Sequence, residues 1–392
     1  MPTYPTYKLG QICETTSGGT PNRKNDAYYG GSIPWVKSGE LGKGIIYDTE
    51  EKITEQAVKE SSAKIFPKGT LLIALYGATI GKLGFLGVPA ATNQAVCGIF
   101  ENEKIDLQFL SYYLFHKRND LIAQGTGGAQ PNISQTILKN LSIPLPPLPT
   151  QRAIVARIET LFAELDKAVQ HLRTAQQQLK TYRQAVLNHW LNNEDGKWKM
   201  VKLGEVAEMC LGKMLDKSKN KGTYQPYLRN VNVRWGSFDL DDLLEMRFEE
   251  SEQERYGIQI GDLIMCEGGE PGRCAIWNAT VPNMKIQKAL HRIRVKDSIY
   301  NKFVYYLFSL YAQNGRLEKY FTGTTIKHLT GQSLKSIEIP FPPLAEQQRI
   351  VKEIESRLSQ ASASSAYIEN ALQQAEALRQ SILKKAFSRE LV

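Results

Sequence analysis

Amide, hydroxyl and basic side chains gather in glycine-rich stretches beside aromatics, and they do so in both halves of this 392-residue chain. The first half offers Thr20, Asn22, Arg23 and Lys24 after Gly18-Gly19, then Lys37 and Ser38 after Trp35, Tyr76, Thr79 and Lys82, Asn93 and Gln94, and Gln130 and Asn132. The second half offers Lys213, Lys217 and Lys219, then Arg229, Asn230, Asn232 and Arg234, then Arg273, Gln287, Lys288, Lys327 and His328. Lys and Arg suit phosphates, and Asn, Gln and Arg suit base edges. Any one of these residues is explained as well by the ordinary polarity of loops. The set is better explained by a surface that reads a nucleic-acid groove.

The same search finds no catalytic constellation. Gly77-Ala-Thr-Ile-Gly81-Lys82-Leu83 is one residue short of a phosphate loop and has Leu where Ser or Thr must hold magnesium. The chain contains no His-Glu-x-x-His and no Gly-x-Gly-x-x-Gly opening a helix. The histidines at 116, 171, 189, 291 and 328 sit in unrelated contexts, and His116 and His291 are expected on the surface or across a strand. Glu267 and Glu270 flank a Gly-rich turn with nothing to favour metal over solvent. The cysteines at 13, 97, 210, 266 and 274 form no Cys-x-x-Cys pair, so neither a disulfide framework nor a structural zinc is expected.

Composition agrees with a globular protein: 42% hydrophobic and 23% charged residues, with no run approaching a membrane span. The net charge is +9, divided as +3 over residues 1–196 and +6 over 197–392. Both halves are mildly basic, which is compatible with nucleic acid. Cytoplasm is the expected compartment.

These loops are carried by a chain that repeats itself. Ile143-Pro-Leu-Pro-Pro-Leu-Pro-Thr-Gln151 returns as Ile339-Pro-Phe-Pro-Pro-Leu-Ala-Glu-Gln347, an offset of 196 residues. The same offset aligns Ile154-Val155 and Ile158-Glu159 with Ile350-Val351 and Ile354-Glu355, and Arg183-Gln-Ala-Val-Leu187 with Arg379-Gln-Ser-Ile-Leu383. Two equivalent halves imply an approximate two-fold axis and a partner with two equivalent parts. Each half reads as a globular segment, about 7–149 and 201–345, followed by a long helix. The segments begin alike, Lys8-Leu9-Gly10-Gln11-Ile12 and Lys202-Leu203-Gly204-Glu205-Val206, and then diverge. Short apolar stretches at 70–75, 84–87, 262–265, 274–277 and 291–295 predict strands, and 107–118 and 302–311 predict helices. Each segment is therefore a compact α+β domain.

After Pro146-Pro147 and Pro342-Pro343 a helix can start. Residues 151–191 contain neither Gly nor Pro. Ile154, Ile158, Leu161, Leu165, Ala168, Leu172, Ala175, Leu179, Tyr182 and Val186 step by four and three, a heptad seam. The second helix, about 347–387, keeps Ile350, Ile354, Ala361, Ile368, Ala375, Leu378 and Ile382, with Arg357 and Ser364 weakening its seam. The seams are expected to bury against each other as an antiparallel pair, a strut of ~60 Å at 1.5 Å per residue. Asn192-Asn-Glu-Asp-Gly196 is the polar turn that opens the second half. Arg152, Arg157, Arg173, Gln177 and Arg183, with Arg349 and Arg379, are expected on outer faces left free for partners.

A Pro-Pro-Leu-x-x-Gln stretch, then Ile-Val-x-x-Ile-Glu entering a heptad helix, twice in one chain, resembles the specificity subunits of Type I restriction-modification systems. Ile33-Pro34-Trp35-Val36, Tyr76-Gly77-Ala78-Thr79-Ile80-Gly81, Ala91-Thr-Asn-Gln-Ala95 and Ala129-Gln-Pro-Asn-Ile-Ser134 add to the likeness. The second domain departs from it at residues 268–273 and 287–289. The resemblance implies two target-recognition domains in tandem, 1–149 and 197–345, with conserved helices at 150–196 and 346–392. It implies a non-catalytic subunit that reads a bipartite, asymmetric double-stranded DNA target, one domain per half-site. It implies partners as well: two copies of a modification (methyltransferase) subunit and a restriction motor subunit. S-adenosylmethionine, ATP and Mg2+ would then reside on those partners and not on this chain. The rival reading is a coiled-coil scaffold with two protein-binding domains and no DNA role; basic loops in both halves weigh against it.

Overall fold

The computed structural model describes residues 4–125, 132–216, 218 and 220–388. The chain forms two compact units, residues 1–172 with 370–392, and residues 173–369. Each long helix therefore contributes to both units. Gln130, Lys217 and Lys219 lie outside the described residues.

In the first unit a five-stranded sheet runs in the order Thr15–Ser17, Val96–Ile99, Leu71–Ala74, Leu83–Leu86, Ile45–Ile46. Its pairings are antiparallel except for the last, which is parallel. Leu71, Ile73, Cys97 and Ile99 face a cluster with Phe109, Leu110 and Leu114 of the helix Leu107–His116. Leu72, Ala74, Val96 and Leu86 face a second cluster with Val36, Phe66 and Ala90. Both faces are covered, so the central strands Leu71–Ala74 and Val96–Ile99 are buried at every position and do not alternate. A four-stranded sheet, Lys52–Ile53, Tyr29–Val36, Ala90–Thr92, Ile65–Phe66, supplies that second layer.

The second unit repeats the plan. Its central sheet is Ala207–Leu211, Leu290–Val295, Leu263–Cys266, Cys274–Ile276, all antiparallel. Leu263, Met265, Cys274 and Ile293 pack with Phe303, Val304 and Leu307 of the helix Asn301–Gln313. Ile264, Cys266, Ala275 and Leu290 pack toward Leu228, Trp277 and Ile286 on the other side. His291 lies on the strand Leu290–Val295, 1% exposed and opposite Leu211 and Met265, a cross-strand histidine as expected, while His116 is half-buried against Phe387.

The long helices span Leu148–Leu191 and Leu344–Phe387, 44 residues each. Both begin three residues before the expected Gln151 and Gln347. Pro149 causes no break because the first turn of a helix needs no N–H partner there. In the first unit Ile154, Ile158, Phe162 and Leu165 share one core cluster with Ala375, Ile382, Leu383 and Ala386. In the second unit Val186, Leu187 and Leu191 share one with Ile350, Val351 and Ile354. The two helices thus pack together within each unit.

The expected seam needs correction by one residue at several positions. Ala168 is exposed, Tyr182 is 39% exposed and Leu378 is 50% exposed. Leu161 is only partly buried, and Leu172 and Leu179 are half-buried. Neighbouring positions on a helix differ by about 100°, and the bulkier Phe162 takes the inward place beside Leu161. Arg183 and Arg379 turn toward the seam instead of outward. The Arg379 guanidinium lies 4.5 Å from the Phe162 ring centre and pairs with Asp166. Arg183 Nη2 donates to Ser362 Oγ at 3.2 Å. Arg379 lies on the Phe162 ring while its head keeps a carboxylate partner.

The repeated glutamine explains the repeated proline motif. Gln151 is fully buried; its Nε2 donates to Pro146 O (2.8 Å) and Lys104 O (3.0 Å), and its Oε1 accepts from Asp106 N (2.8 Å). Gln347 does the same with Pro342 O (2.8 Å), Ser298 O (3.2 Å) and Tyr300 N (2.7 Å). One amide thus joins the proline segment, the long helix and the start of the domain's own helix. Replacing either glutamine by alanine removes the partner of three backbone groups, one of them, the Pro146 or Pro342 carbonyl, in a fully buried bond. Gln151→Ala and Gln347→Ala are each expected to cost their unit about 2–3 kcal/mol, read as a lower denaturant midpoint. An unchanged midpoint would show that packing alone holds the junction.

Candidate nucleic-acid interface

Six backbone hydrogen bonds gather the polar loops of the first unit. Gly18 N donates to Val96 O (3.1 Å), Gly19 N to Thr92 O (2.9 Å), Asn93 N to Val36 O (3.0 Å), Val96 N to Asn93 O (3.1 Å), Leu75 N to Ala95 O (2.8 Å) and Ile133 N to Leu75 O (2.8 Å). The second unit builds the same frame. Gly212 N donates to Leu290 O (3.0 Å), Lys213 N to Ile286 O (3.0 Å), Gln287 N to Leu228 O (3.1 Å), Leu290 N to Gln287 O (3.1 Å), Glu267 N to Ala289 O (2.8 Å) and Leu329 N to Glu267 O (2.7 Å). This correspondence makes Lys37 the counterpart of Arg229, Ser38 of Asn230, Asn93 of Gln287 and Gln94 of Lys288. Sequence comparison at the 196-residue offset misses it, because loop lengths change the local register. Glycine is required at Gly18 and Gly212, where a Cβ would collide with the Thr92 and Gln287 carbonyls.

In each unit the strand that ends at the frame turns into a short 3-10 segment, Ser38–Glu40 or Asn230–Asn232. Glu40 Oε2 accepts from Lys37 N at 2.7 Å, and Asn232 Oδ1 accepts from Arg229 N at 2.9 Å. These two side chains close the turn and hold Lys37 and Arg229 at its mouth.

Around the first frame, Arg23 lies over the Tyr29 and Trp35 rings, 4.8 Å from each centre, and pairs with Glu51. Trp35 is buried, and its Nε1 donates to Gly19 O at 3.1 Å. Lys37 Nζ lies 3.0 Å from both Glu50 and Glu51. Hydrogen bonds to Glu51 and Glu50 raise the Lys37 pKa, and the bonds from Arg23 and Lys37 hold the Glu51 carboxyl below its ordinary value. Thr20 bonds the Gln94 side chain, Tyr76 Oη donates to Gln94 O at 2.6 Å, and Tyr76 bridges Asn132. Thr79 Oγ1 donates to Tyr76 O at 3.4 Å, and Asn22 Oδ1 accepts from the backbone N–H of exposed Lys24. Thr20, Asn22, Arg23, Lys24, Lys37, Ser38, Tyr76, Thr79, Asn93, Gln94 and Asn132 thus sit on or beside one frame. Lys82 lies past it, exposed beside Gly42.

Around the second frame two expected contacts turn inward. Lys213 is 7% exposed; its Nζ donates to Arg247 O at 3.0 Å and pairs with Glu252. Asn232 is 1% exposed and donates to Asp239 O and Asp242 O besides closing its turn. Both hold loops in shape through bonds inside the domain. Arg229 Nη2 pairs with Asp242 at 2.6 Å, Arg234 with Asp239 at 3.4 Å and Arg273 with Glu270 at 2.8 Å. Arg273 also donates to Asn230 O (3.0 Å), while Asn230 Nδ2 donates to Gly268 O (2.6 Å). His328 lies against Gly268, and Lys327 over Phe321. Gln287 and exposed Lys288 follow the frame strand. The acids Glu50, Glu51, Asp242 and Glu270 join these loops without a sequence signal of their own, because carboxylates match neither phosphates nor most base edges.

The five cysteines are free thiols, and burial pushes Cys97 up to about 12 and Cys13 and Cys266 up to about 11. Such thiols are poor nucleophiles at neutral pH. Among the described residues no group of three or more His, Cys, Asp or Glu is placed to hold a metal ion, and no helix is long and apolar enough to cross a membrane.

Two units with one loop frame, joined to shared long helices, define a duplicated recognition protein. A family model described as the Type I restriction modification DNA specificity domain matches residues 1–172 and again 195–374, and the chain belongs to that family. The Type I restriction enzyme EcoKI specificity subunit of Escherichia coli strain K12 is 26% identical over 382 residues, covering 92% of this chain and 82% of that protein. The StySPI specificity subunit of Salmonella potsdam is 24% identical over 387 residues, with the same coverage of each. The crystal structure of the HsdS subunit from Thermoanaerobacter tengcongensis matches with a TM-score of 0.65 over 98% of this chain and 97% of that one. A chain from a structure addressing complex assembly and conformational transition of the type I R-M system matches at 0.78, over 99% and 98%. Both are 21% identical, a likeness of fold.

His291 is expected to make the stability of the second unit depend on pH. A hydrogen bond of 2.9 Å joins its Nε2 to Leu329 O, tying the loop before Thr330 to the central sheet. Burial lowers its pKa below the ordinary 6.5, so the unfolded chain takes up a proton first as pH falls. The stabilisation from neutral His291 is therefore fully present above 6.5 and declines below it. His291→Gln keeps a donor and removes the titration, so the acid-side loss of the second unit's thermal midpoint should flatten. An identical slope in wild type and variant would assign that loss to other groups.

Proposed function

We propose that this chain is the non-catalytic specificity subunit of a Type I restriction-modification complex, reading a bipartite, asymmetric DNA target with one domain per half-site. One observation carries the reading. The same six-bond frame appears in both units, while the side chains mounted on it differ: Lys37, Ser38, Asn93 and Gln94 in one, Arg229, Asn230, Gln287 and Lys288 in the other. A common cradle with different polar groups suits two readings of one kind of ligand. A protein-binding scaffold gives no reason for both frames to carry cations and amides together.

The long helices are the assembly element of this proposal. In the first unit the start of one packs on the end of the other; in the second unit the end packs on the start. That pairing supports an antiparallel coiled coil about a pseudo-two-fold axis, with its outer faces, including Arg152, Arg157, Arg173 and Gln177, binding two copies of the modification subunit. A restriction motor subunit completes the complex. S-adenosylmethionine, ATP and Mg2+ act on those partners, in the cytoplasm, where the DNA is.

The test is to express the chain with its cognate modification subunit and map methylated positions in host DNA. A split, asymmetric site is expected. Exchanging residues 7–149 for another recognition domain should change one half of that site only; a folded chimera that changes both halves contradicts modular reading. DNA affinity of the assembled complex should fall steeply with salt, with a log–log slope of about −0.9 per phosphate contact. A flat response would reject phosphate-based binding. Mass measurement showing one modification subunit per chain at saturation would contradict the two-copy assembly.

A further inference from the structure

Two cations of the reading loops are held alike in domains that otherwise diverge. Lys37 and Arg229 occupy equivalent places at the mouth of their turns. Each pairs with a carboxylate 13 residues further along the chain, Lys37 with Glu50 at 3.0 Å and Arg229 with Asp242 at 2.6 Å. The Glu50 and Asp242 side chains are 77% and 75% exposed. Pairs so open to water stabilise a fold little, so folding does not explain why both units keep one.

The surroundings suggest what does. A free cation at a reading surface binds any phosphate, and sequence-independent attraction is what a specificity domain must hold down. A carboxylate beside that cation acts in two ways. It competes with DNA phosphate for the cation, and it repels the backbone of a duplex docked in the wrong register. At the correct half-site, base contacts offset both terms.

We propose that Glu50 and Asp242 are specificity-determining residues: built-in anions that restrain Lys37 and Arg229 from random phosphate binding. The inference rests on the DNA-reading function argued above. In the first unit Lys37 also has Glu51, shared with Arg23, so loss of Glu50 frees it only in part. Arg229 also donates to the Asp242 backbone oxygen, but Asp242 Oδ2 is its one carboxylate partner among the described residues.

The experiment uses the assembled complex and two duplexes of equal length, one carrying the site mapped by methylation and one lacking it. Asp242→Asn should raise affinity for the site-less duplex about two- to five-fold. It should steepen the log–log salt slope by about 0.9 and lower the ratio of specific to non-specific binding. Glu50→Gln should act in the same direction and by less. Adding Arg229→Gln to Asp242→Asn removes the freed cation and should abolish the gain, while Asp242→Glu should restore the wild-type ratio. Unchanged binding to both duplexes with an unchanged slope overturns the proposal. So does a loss confined to the mapped duplex, which would make Asp242 a base contact. A wild-type complex that prefers neither duplex overturns the DNA reading itself.

Discussion

One buried amide in each unit sets the relation between the reading domain and the helix that carries it. Gln151 and Gln347 each satisfy two carbonyls and one N–H that converge where the proline segment, the long helix and the domain's own helix meet. Prolines bring carbonyls to this junction but few N–H groups, so the segment cannot satisfy itself. A residue with both a donor pair and an acceptor is needed, and glutamine has both on a chain long enough to reach. The antiparallel strands Thr6–Lys8 with Ser142–Pro144, and Met200–Lys202 with Glu338–Pro340, close each domain beside it. Domain, strand pair and helix therefore meet at one satisfied polar centre.

Charge is arranged with the same economy. A net charge of +9 suggests cations waiting for phosphates, yet the reading loops hold most of theirs in local pairs. Lys213 and Glu252 are structural, Arg23 is a flat guanidinium laid on two aromatic rings, and Arg273 braces one loop against another. Arginine suits the last two places because its planar fork stacks and bonds at once. The surface that results is mounted and oriented before any ligand arrives, which lowers the ordering cost of binding.

The repeat, the strands at 71–74 and 263–266, the helices at 107–116 and 301–313 and the paired long helices were legible in the sequence. Each rests on a strong periodic or apolar signal over many residues. The seam was legible only to within one residue. Leu161 and Phe162 are both apolar, and which of them turns inward depends on the partner helix, a tertiary fact. The loop residues were legible as a set but not one by one. Asn232 and Asn230 stand two apart in the same polar run, yet one closes a turn inside the domain and the other bonds across to Gly268. Nothing local in the sequence distinguishes them. The carboxylate partners were invisible for a different reason: Glu50 and Asp242 matter only through cations 13 residues away.

The divergence of the two domains follows from what holds the loops. All six bonds of each frame run between backbone N–H and C=O groups, so they place almost no demand on side-chain identity. Demands fall instead on a few positions: glycine at Gly18 and Gly212, where only a missing Cβ lets two backbones touch, and buried apolar residues such as Leu75 and Leu290 that anchor the strands. Side chains at Ser38 and Asn230, or at Gln94 and Lys288, take no part in the six backbone bonds, although Asn230 and Gln94 each bond a neighbouring loop. Substitution there changes the polar groups the loops present and leaves the six backbone bonds in place. The bonds that hold the cradle are thereby assigned to backbone atoms, and the side chains of the loops are left free to differ. A chain built this way can hold two unlike sets of loop side chains on one architecture, because the cradle is closed by backbone bonds.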